Sequence, residues 1–288
     1  MIIGKRKTIK IRGVEHYYEW VKQPKAGKGK PVLVFIHGWG GSSRYWYSTA
    51  EALTNKFDCL LYDLRGFGHS RLPQEELDSS SAQSHYEMED YADDLASLLD
   101  ALSLKRIYIN AHSMGASIAT VFLNRYPNSV EKAILTCSGI FEYNEKAFTA
   151  FHKFGGYVVK FRYNWFLKIP FADKLFMARF LHRPLPRKIS KAFLEDFLLA
   201  DYPAALNTIY TSVCKKAVEV MPQEFSQIKI PTLLVAGEKD IIIPAAMGKQ
   251  AAGLNTNIEY FEIPATAHFP MLEDGEVYLN KVKEFLHN

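Results

Sequence analysis

Residues 106–126 read Arg-Ile-Tyr-Ile-Asn-Ala-His-Ser-Met-Gly-Ala-Ser-Ile-Ala-Thr-Val-Phe-Leu-Asn-Arg-Tyr. The first five, Arg106–Asn110, have the apolar, β-branched character of a strand, and Ala116 to Tyr126 carries a helical pattern. Ser113 lies at the joint. A serine on so sharp a strand-to-helix turn projects its hydroxyl above the sheet, provided the residues two away on either side are tiny. Ala111 and Gly115 meet that demand. The helix start behind Ser113 also offers free amides and a positive dipole end, both suited to a developing oxyanion. A serine between small residues is common on surface turns. The strand–serine–helix setting is what marks Ser113 as a candidate nucleophile.

Working outward, short apolar runs alternate with longer amphipathic ones. Val32–Ile36, Cys59–Tyr62, Ala133–Thr136, Thr232–Ala236 and Asn257–Ile263 repeat the strand pattern of 106–110. Thr8–Arg12 and His16–Lys22 straddle Gly13 as an antiparallel hairpin. A helix is expected from Ser84, where Ser-His-Tyr-Glu87 spells a capping box and Met88, Tyr91, Leu95, Leu98 and Leu102 form one stripe. The polar loop from Pro73 to Ser84 precedes it, and a last helix starts near Asp274. This alternation predicts an α/β protein with a mostly parallel central sheet flanked by helices. Residues 139–216 break the rhythm. They contain no strand pattern, hold 17 of the 39 aromatic residues and carry 13 Lys/Arg against 6 Asp/Glu. Pro170, Pro184, Pro186 and Pro203 cut them into short helices. The expected organisation is therefore a core of 1–138 and 217–288, with 139–216 inserted as a helical cap at the sheet edge where ligands bind.

A serine hydroxyl needs a base. Among nine histidines, His268 follows the last strand and so lies on the same sheet edge as Ser113. His37 and His112 are tied into turns beside the site, and His16, His85, His152, His182 and His287 read as surface or structural residues. The imidazole needs an acid to fix its tautomer. Asp240, in Gly237-Glu-Lys-Asp240 just past the strand 232–236, is the choice over Glu238, which sits nearer the strand end. Asp240 has a second reading as a helix cap near Pro244. The oxyanion donors are expected to be the amides of Met114 and Trp39, the latter in His37-Gly-Trp-Gly-Gly-Ser-Ser43. That glycine-rich loop lacks the GxGxxG and Walker patterns of a phosphate cradle.

Composition narrows the classes further. The 288 residues are 48% hydrophobic and 23% charged with a net charge of +4, which excludes disordered and fibrous classes and shows no nucleic-acid signature. Cys59, Cys137 and Cys214 are odd in number and far apart; they read as core filling in a reducing compartment, not as disulfides or zinc ligands. No apolar h-region and no run near the roughly 18–20 residues of a membrane span is present, so the expected location is cytoplasmic.

The segments HGWGGSS (37–43), DLRGFGHS (63–70), AHSMGA (111–116), GEKDIIIP (237–244) and AHFPMLE (267–273) together resemble the α/β-hydrolase superfamily, in the fold-1 branch whose architecture epoxide hydrolases share. The resemblance spans the core, and 139–216 falls where this family carries a helical lid. Ala111 replaces the first glycine of the family's pentapeptide and is small enough for the turn. Ser113, in place of aspartate, argues against dehalogenase or epoxide-hydrolase chemistry. Asp63, Arg65 and Gly66 carry over as a structural loop only. The resulting expectation is a serine hydrolase of carboxylic esters working through an acyl-enzyme, with no cofactor or metal and a small-molecule ester, apolar in its acyl part, as its partner. C–C bond hydrolase, thioesterase, lactonase and perhydrolase chemistries share the same triad, and a slow hydrolase-like receptor is the non-enzymatic competitor. The aromatic, basic insertion is open to several uses: lining an acyl pocket, engaging anionic or lipid-like substrates, touching a membrane surface, or simply burying its rings against the core with lysines outside. Oligomeric state is not indicated.

Overall fold

A computed structural model describes residues 2–3, 6–23, 29–74 and 85–287. The strands are β1 (Ile2–Ile3), β2 (Lys7–Ile11), β3 (Val14–Lys22), β4 (Val32–Ile36), β5 (Asp58–Tyr62), β6 (Ile107–His112), β7 (Val130–Thr136), β8 (Thr232–Gly237) and β9 (Ile258–Ile263). They form one sheet in the order β1-β3-β5-β4-β6-β7-β8-β9, with β2 also on β3. From β5 to β9 every pairing is parallel, while β1, β2 and β5 run antiparallel to β3. The β2–β3 hairpin turns at Arg12-Gly13, both with positive φ, the geometry that suits the twist of a two-residue hairpin loop.

The parallel strands are buried on both faces, which is why their sequences read as continuous apolar runs. Leu33, Phe35, Cys59 and Leu61 point to one side, where they meet Trp46, Leu53, Tyr278 and Val282 of α1 (Tyr47–Leu53), the turn before it, and α11 (Gly275–His287). Val34, Ile36, Leu60 and Ile109 point to the other, against Leu95 of α2 (Met88–Ala101) and Ile118 and Phe122 of α3 (Met114–Arg125). Helix α2 starts three residues later than a cap at Ser84 implies. Glu87 is its N-cap, exchanging side-chain and backbone hydrogen bonds with Asp90. Ser84, the expected cap, and the loop residues 75–83 lie outside the described residues.

Between β7 and β8 the chain forms α4 (Glu145–Lys160), α5 (Ala172–Met177), α6 (Arg187–Leu199), α7 (Tyr202–Ser212) and α8 (Lys215–Gln227). Helix α8 runs across the boundary expected at 216, and the Cys214 thiol accepts its Ala217 amide as N-cap. After β8 come α9 (Ala245–Ala252) and, past β9, α10 (Pro270–Glu273). The aromatic residues of 139–216 are not uniformly buried. Phe193 and Phe197 are in the core, but many rings of 143–171 face solvent; on α4 this is because the helix has apolar side chains on two faces and only one of them meets the protein. None of the described helices is long and apolar enough to cross a membrane.

Candidate active site

Parallel pairing places the loops after β4, β6, β8 and β9 on one edge of the sheet. Ile36 pairs with Ala111, so the loop after β4 emerges beside Ser113. Ser113 itself has φ 54° and ψ −123°, a conformation that costs a non-glycine residue about 1–3 kcal/mol and persists only where the surroundings impose it. Its amide donates to the Thr136 carbonyl at 2.9 Å. Gly115 is required by close approach, since a Cβ there would stand 2.4 Å from the His37 carbonyl oxygen.

The three side chains chosen from sequence converge. The Ser113 hydroxyl lies 3.0 Å from His268 Nε2, and His268 Nδ1 lies 2.7 Å from Asp240 Oδ2. Asp240 and His268 are buried, and Ser113 is half-buried. Burial alone would raise the Asp240 carboxyl, but the facing imidazole and the amides of Ile242 and Ile243, both donating to Oδ1, hold it below its ordinary value. Asp240 does not cap the helix after Pro244, whose N-cap is Pro244 itself; one of its oxygens ties the turn ahead of that helix and the other faces His268. The ionised acid fixes a proton on Nδ1 and leaves Nε2 as acceptor for the serine hydroxyl. Glu238 is exposed, held by Lys239 and the Ala265 amide, and does not reach the imidazole.

Met114 is the first residue of α3, and its amide is one of those a helix leaves without an intrahelical acceptor. Trp39 follows Gly38, whose Cβ, if present, would be 3.1 Å from Ser113 Cβ, so the loop carrying the Trp39 amide abuts the serine. The Trp39 indole donates to the Ala205 carbonyl of α7 at 2.9 Å. From Trp39 a row of rings passes through Phe197, Phe176 and Phe180 to His268, with neighbouring centroids 4.9–6.1 Å apart.

Several supporting contacts have no local sequence signature. Burial holds His112 neutral, well below the ordinary histidine value. Its Nε2–H donates to the His268 carbonyl at 2.7 Å, and its Nδ1 accepts from the Tyr45 hydroxyl at 3.0 Å. That hydroxyl in turn accepts the Gly38 amide at 2.6 Å. The His268 amide donates to the Phe180 carbonyl at 3.0 Å, and Glu273 accepts the amides of Ala267, His182 and Arg183. Across from these, Asp196 of α6 accepts from Ser42 and Arg44, tying that helix to the loop after β4; burial pushes its carboxyl up to about 6. Glu273 was within reach of motif reading, as the last residue of AHFPMLE. Tyr45 and Asp196 were not.

Asp63, Arg65 and Gly66 form a folded loop away from the hydroxyl. Asp63 accepts the amides of Ser43 and His69, Gly66 takes φ 76°, and Arg65 makes a two-point pair with Asp94 at 2.8 and 2.5 Å. His112, Cys137 and His268 place possible metal donors within 4.8 Å of one another. They do not suit a cation. Both nitrogens of each ring are already hydrogen-bonded, and burial next to Asp240 keeps the Cys137 thiol protonated.

Comparison with known proteins agrees with this architecture. Residues 31–275 match the family described as alpha/beta hydrolase fold. AB hydrolase superfamily protein YisY of Bacillus subtilis is 26% identical over 96% of this chain and 97% of its own. Two solved structures superpose over nearly their full length: a bromoperoxidase from Bacillus anthracis (TM-score 0.81, 21% identity, 99% of this chain and 100% of that one) and an esterase from Exiguobacterium antarcticum (TM-score 0.79, 18% identity, 98% and 99%). At these identities the superpositions speak to the fold.

Proposed function

Since the chain belongs to the alpha/beta hydrolase family, we propose that it is a serine hydrolase of carboxylic esters whose acyl part is apolar. The observation that carries this reading is the hydrogen-bonded line Ser113–His268–Asp240, at 3.0 and 2.7 Å, with the serine held in a strained turn. In this reading Ser113 Oγ attacks the ester carbonyl carbon while His268 Nε2 takes its proton. The tetrahedral oxyanion is met by the amides of Met114 and Trp39 and by the positive end of α3. His268 then returns the proton to the departing alkoxide, leaving an acyl-enzyme. Water, deprotonated by the same imidazole, releases the acid. Asp240 stabilises the imidazolium throughout. The ring row from Trp39 to His268 supports an apolar acyl group, and residues 139–216 act as a helical lid that supplies most of it. Three unpaired cysteines fit a cytoplasmic enzyme.

The test is chemical. A fluorophosphonate probe should label Ser113 alone, with labelling abolished in Ser113→Ala, and the parent should turn over a panel of p-nitrophenyl esters with a preference for longer acyl chains. Labelling that survives in Ser113→Ala removes the nucleophile assignment. Binding of esters without steady turnover makes the protein a receptor.

A further inference from the structure

Of the seventeen large apolar side chains exposed among the described residues, eleven fall between 143 and 175. They are organised. On α4, Phe148, Gly155 and Val159 form the buried face, with Gly155 packed on Ile209 of α7. The outward face carries Phe151, Phe154 and Tyr157 and continues into Phe161 just past the helix end. From there the rings run on as a surface ladder: Tyr157 to Phe161 at 6.2 Å, Phe161 to Tyr163 at 6.4 Å, and Tyr163 to Trp165 at 6.1 Å. Trp165 is 54% exposed, and beyond it stand Phe171 at 64% and Leu175 at 81%. Phe171 holds φ 64°, an outlier for a bulky side chain, and shows its ring to solvent.

Charge lies alongside. Lys146, Lys153 and Lys160 are seven residues apart, so they line up along one edge of the aromatic stripe with only about 20° of drift per step. Lys168 and Lys174 follow in the segment that carries Trp165 and Phe171. Residues 143–175 hold six Lys/Arg and two Asp/Glu, and of the acids Asp173 is buried beside Arg187. Among the described residues these five lysines have no acidic partner; Lys160 and Lys174 lie near the faces of Phe161 and Phe171. An apolar patch of this extent marks an interaction surface, and its charge selects the partner. A protein interface of ordinary kind is depleted in lysine, and a second copy of this chain would set one lysine row against another.

We propose that residues 143–175 are a peripheral membrane-docking surface, seating their rings at the headgroup–acyl boundary of an anionic bilayer while the lysines meet the lipid phosphates. Trp and Tyr favour that boundary because one end of each ring system is apolar and the other hydrogen-bonds. The lysine stems lie along apolar surface with their ammonium groups at the phosphate level. The surface is one helix away from the candidate site: α4 rests on α7, and α7 receives the Trp39 indole.

The experiment uses the full chain and vesicles of phosphatidylcholine with or without phosphatidylglycerol. Co-sedimentation is expected with the anionic vesicles only, weakening as salt is raised. Trp165 emission should shift to the blue on binding, and a Trp165→Phe variant should lack that shift. Each lysine near an anionic surface contributes about fivefold, so Lys146→Gln, Lys153→Gln and Lys160→Gln combined should bind about a hundredfold more weakly. Phe154→Ser should also weaken binding, with the thermal melt of the free protein unchanged. Equal binding to neutral vesicles, no co-sedimentation, or an unshifted Trp165 overturns the proposal. So does concentration-dependent dimerisation in sedimentation velocity that Phe154→Ser abolishes, which would assign the face to a second copy.

Discussion

Replacing Tyr45 with phenylalanine removes a single oxygen from a buried chain of hydrogen bonds. That oxygen accepts the Gly38 amide at 2.6 Å and donates to His112 Nδ1 at 3.0 Å. The direction is set by His112, which burial keeps neutral and whose one proton is committed to the His268 carbonyl. The variant therefore leaves one donor, the Gly38 amide, and one acceptor, His112 Nδ1, without their partner at a buried position. Each costs about 1–3 kcal/mol, or about 2–6 kcal/mol together, while the stacking of the ring on Phe193 survives. For a chain of this length the unfolding entropy is about 0.6 kcal/mol per degree, so the melting temperature should fall by about 3–10 °C. Chemistry should suffer as well, because the same chain braces the loop that carries Trp39 and the backbone of His268. We expect kcat on one activated ester to drop about ten- to hundredfold, less than the roughly 10²–10³-fold loss of removing an oxyanion donor outright, with KM changing less. Paired calorimetry and steady-state kinetics measure both. A melt within one degree of the parent and kcat within twofold would refute the argument that this hydroxyl braces the site.

Asp94→Asn should cost about 3–5 kcal/mol in urea titration, because it leaves the buried Arg65 guanidinium facing a neutral amide; a loss below 1 kcal/mol would count against that pair. Gly237→Ala puts a Cβ 2.0 Å from the Ala267 carbonyl oxygen, and the backbone carrying His268 must move; kcat should fall about a hundredfold in a protein that still folds, and parent-like turnover would rule this out. Asp240→Asn should lower kcat about 10³–10⁴-fold, with Glu238→Gln mild by comparison; the reverse ranking would mean that the acid has been misplaced. Asp196 has its folded pKa raised from 3.8 to about 6, so the stability it contributes is present at low pH and lost as pH rises through 6. The stability of the parent relative to Asp196→Asn should accordingly fall by about 2–3 kcal/mol between pH 4 and 7. A difference that does not vary with pH would sink this reading.

The parts of this structure legible in the sequence share one property: their signal is local. Val32–Ile36 announces a doubly buried strand by its own side chains, and Ser113 is marked by the small residues around it. Asp240 and His268 could be placed beside Ser113 because each follows a parallel strand, and parallel strands end on one edge. The Tyr45–His112 contact spans 67 residues and the Asp196–Ser42 contact 154, so no window of sequence contains both partners. The insertion was opaque for a different reason. Apolar spacing on α4 fits two stripes, Phe148-Gly155-Val159 and Phe151-Phe154-Phe161, and only tertiary packing chooses which is covered. Helix α2 shows a third kind of miss. In sequence Glu87 reads as the partner of a Ser84 cap, whereas Glu87 is itself the N-cap and pairs with Asp90.

The backbone of His268 is held on both sides by different parts of the molecule. Its carbonyl is gripped by His112, next to the serine, and its amide by Phe180, from the helical segment between β7 and β8. The imidazole is therefore mounted across a seam. Any motion that lifts residues 176–183 away from the sheet breaks the hydrogen bond from the His268 amide to the Phe180 carbonyl and slackens the ring that faces Ser113. The other flank is tied down through different groups: the Trp39 indole donates to the Ala205 carbonyl of α7, the Asp201 carboxylate at the start of α7 accepts the Leu72 amide, and the Thr211 hydroxyl near its end donates to the Tyr86 carbonyl. One side of the helical layer is thus an abutment for the His268 backbone, while the opposite side is anchored to the loops after β4 and β5 and leaves His268 untouched.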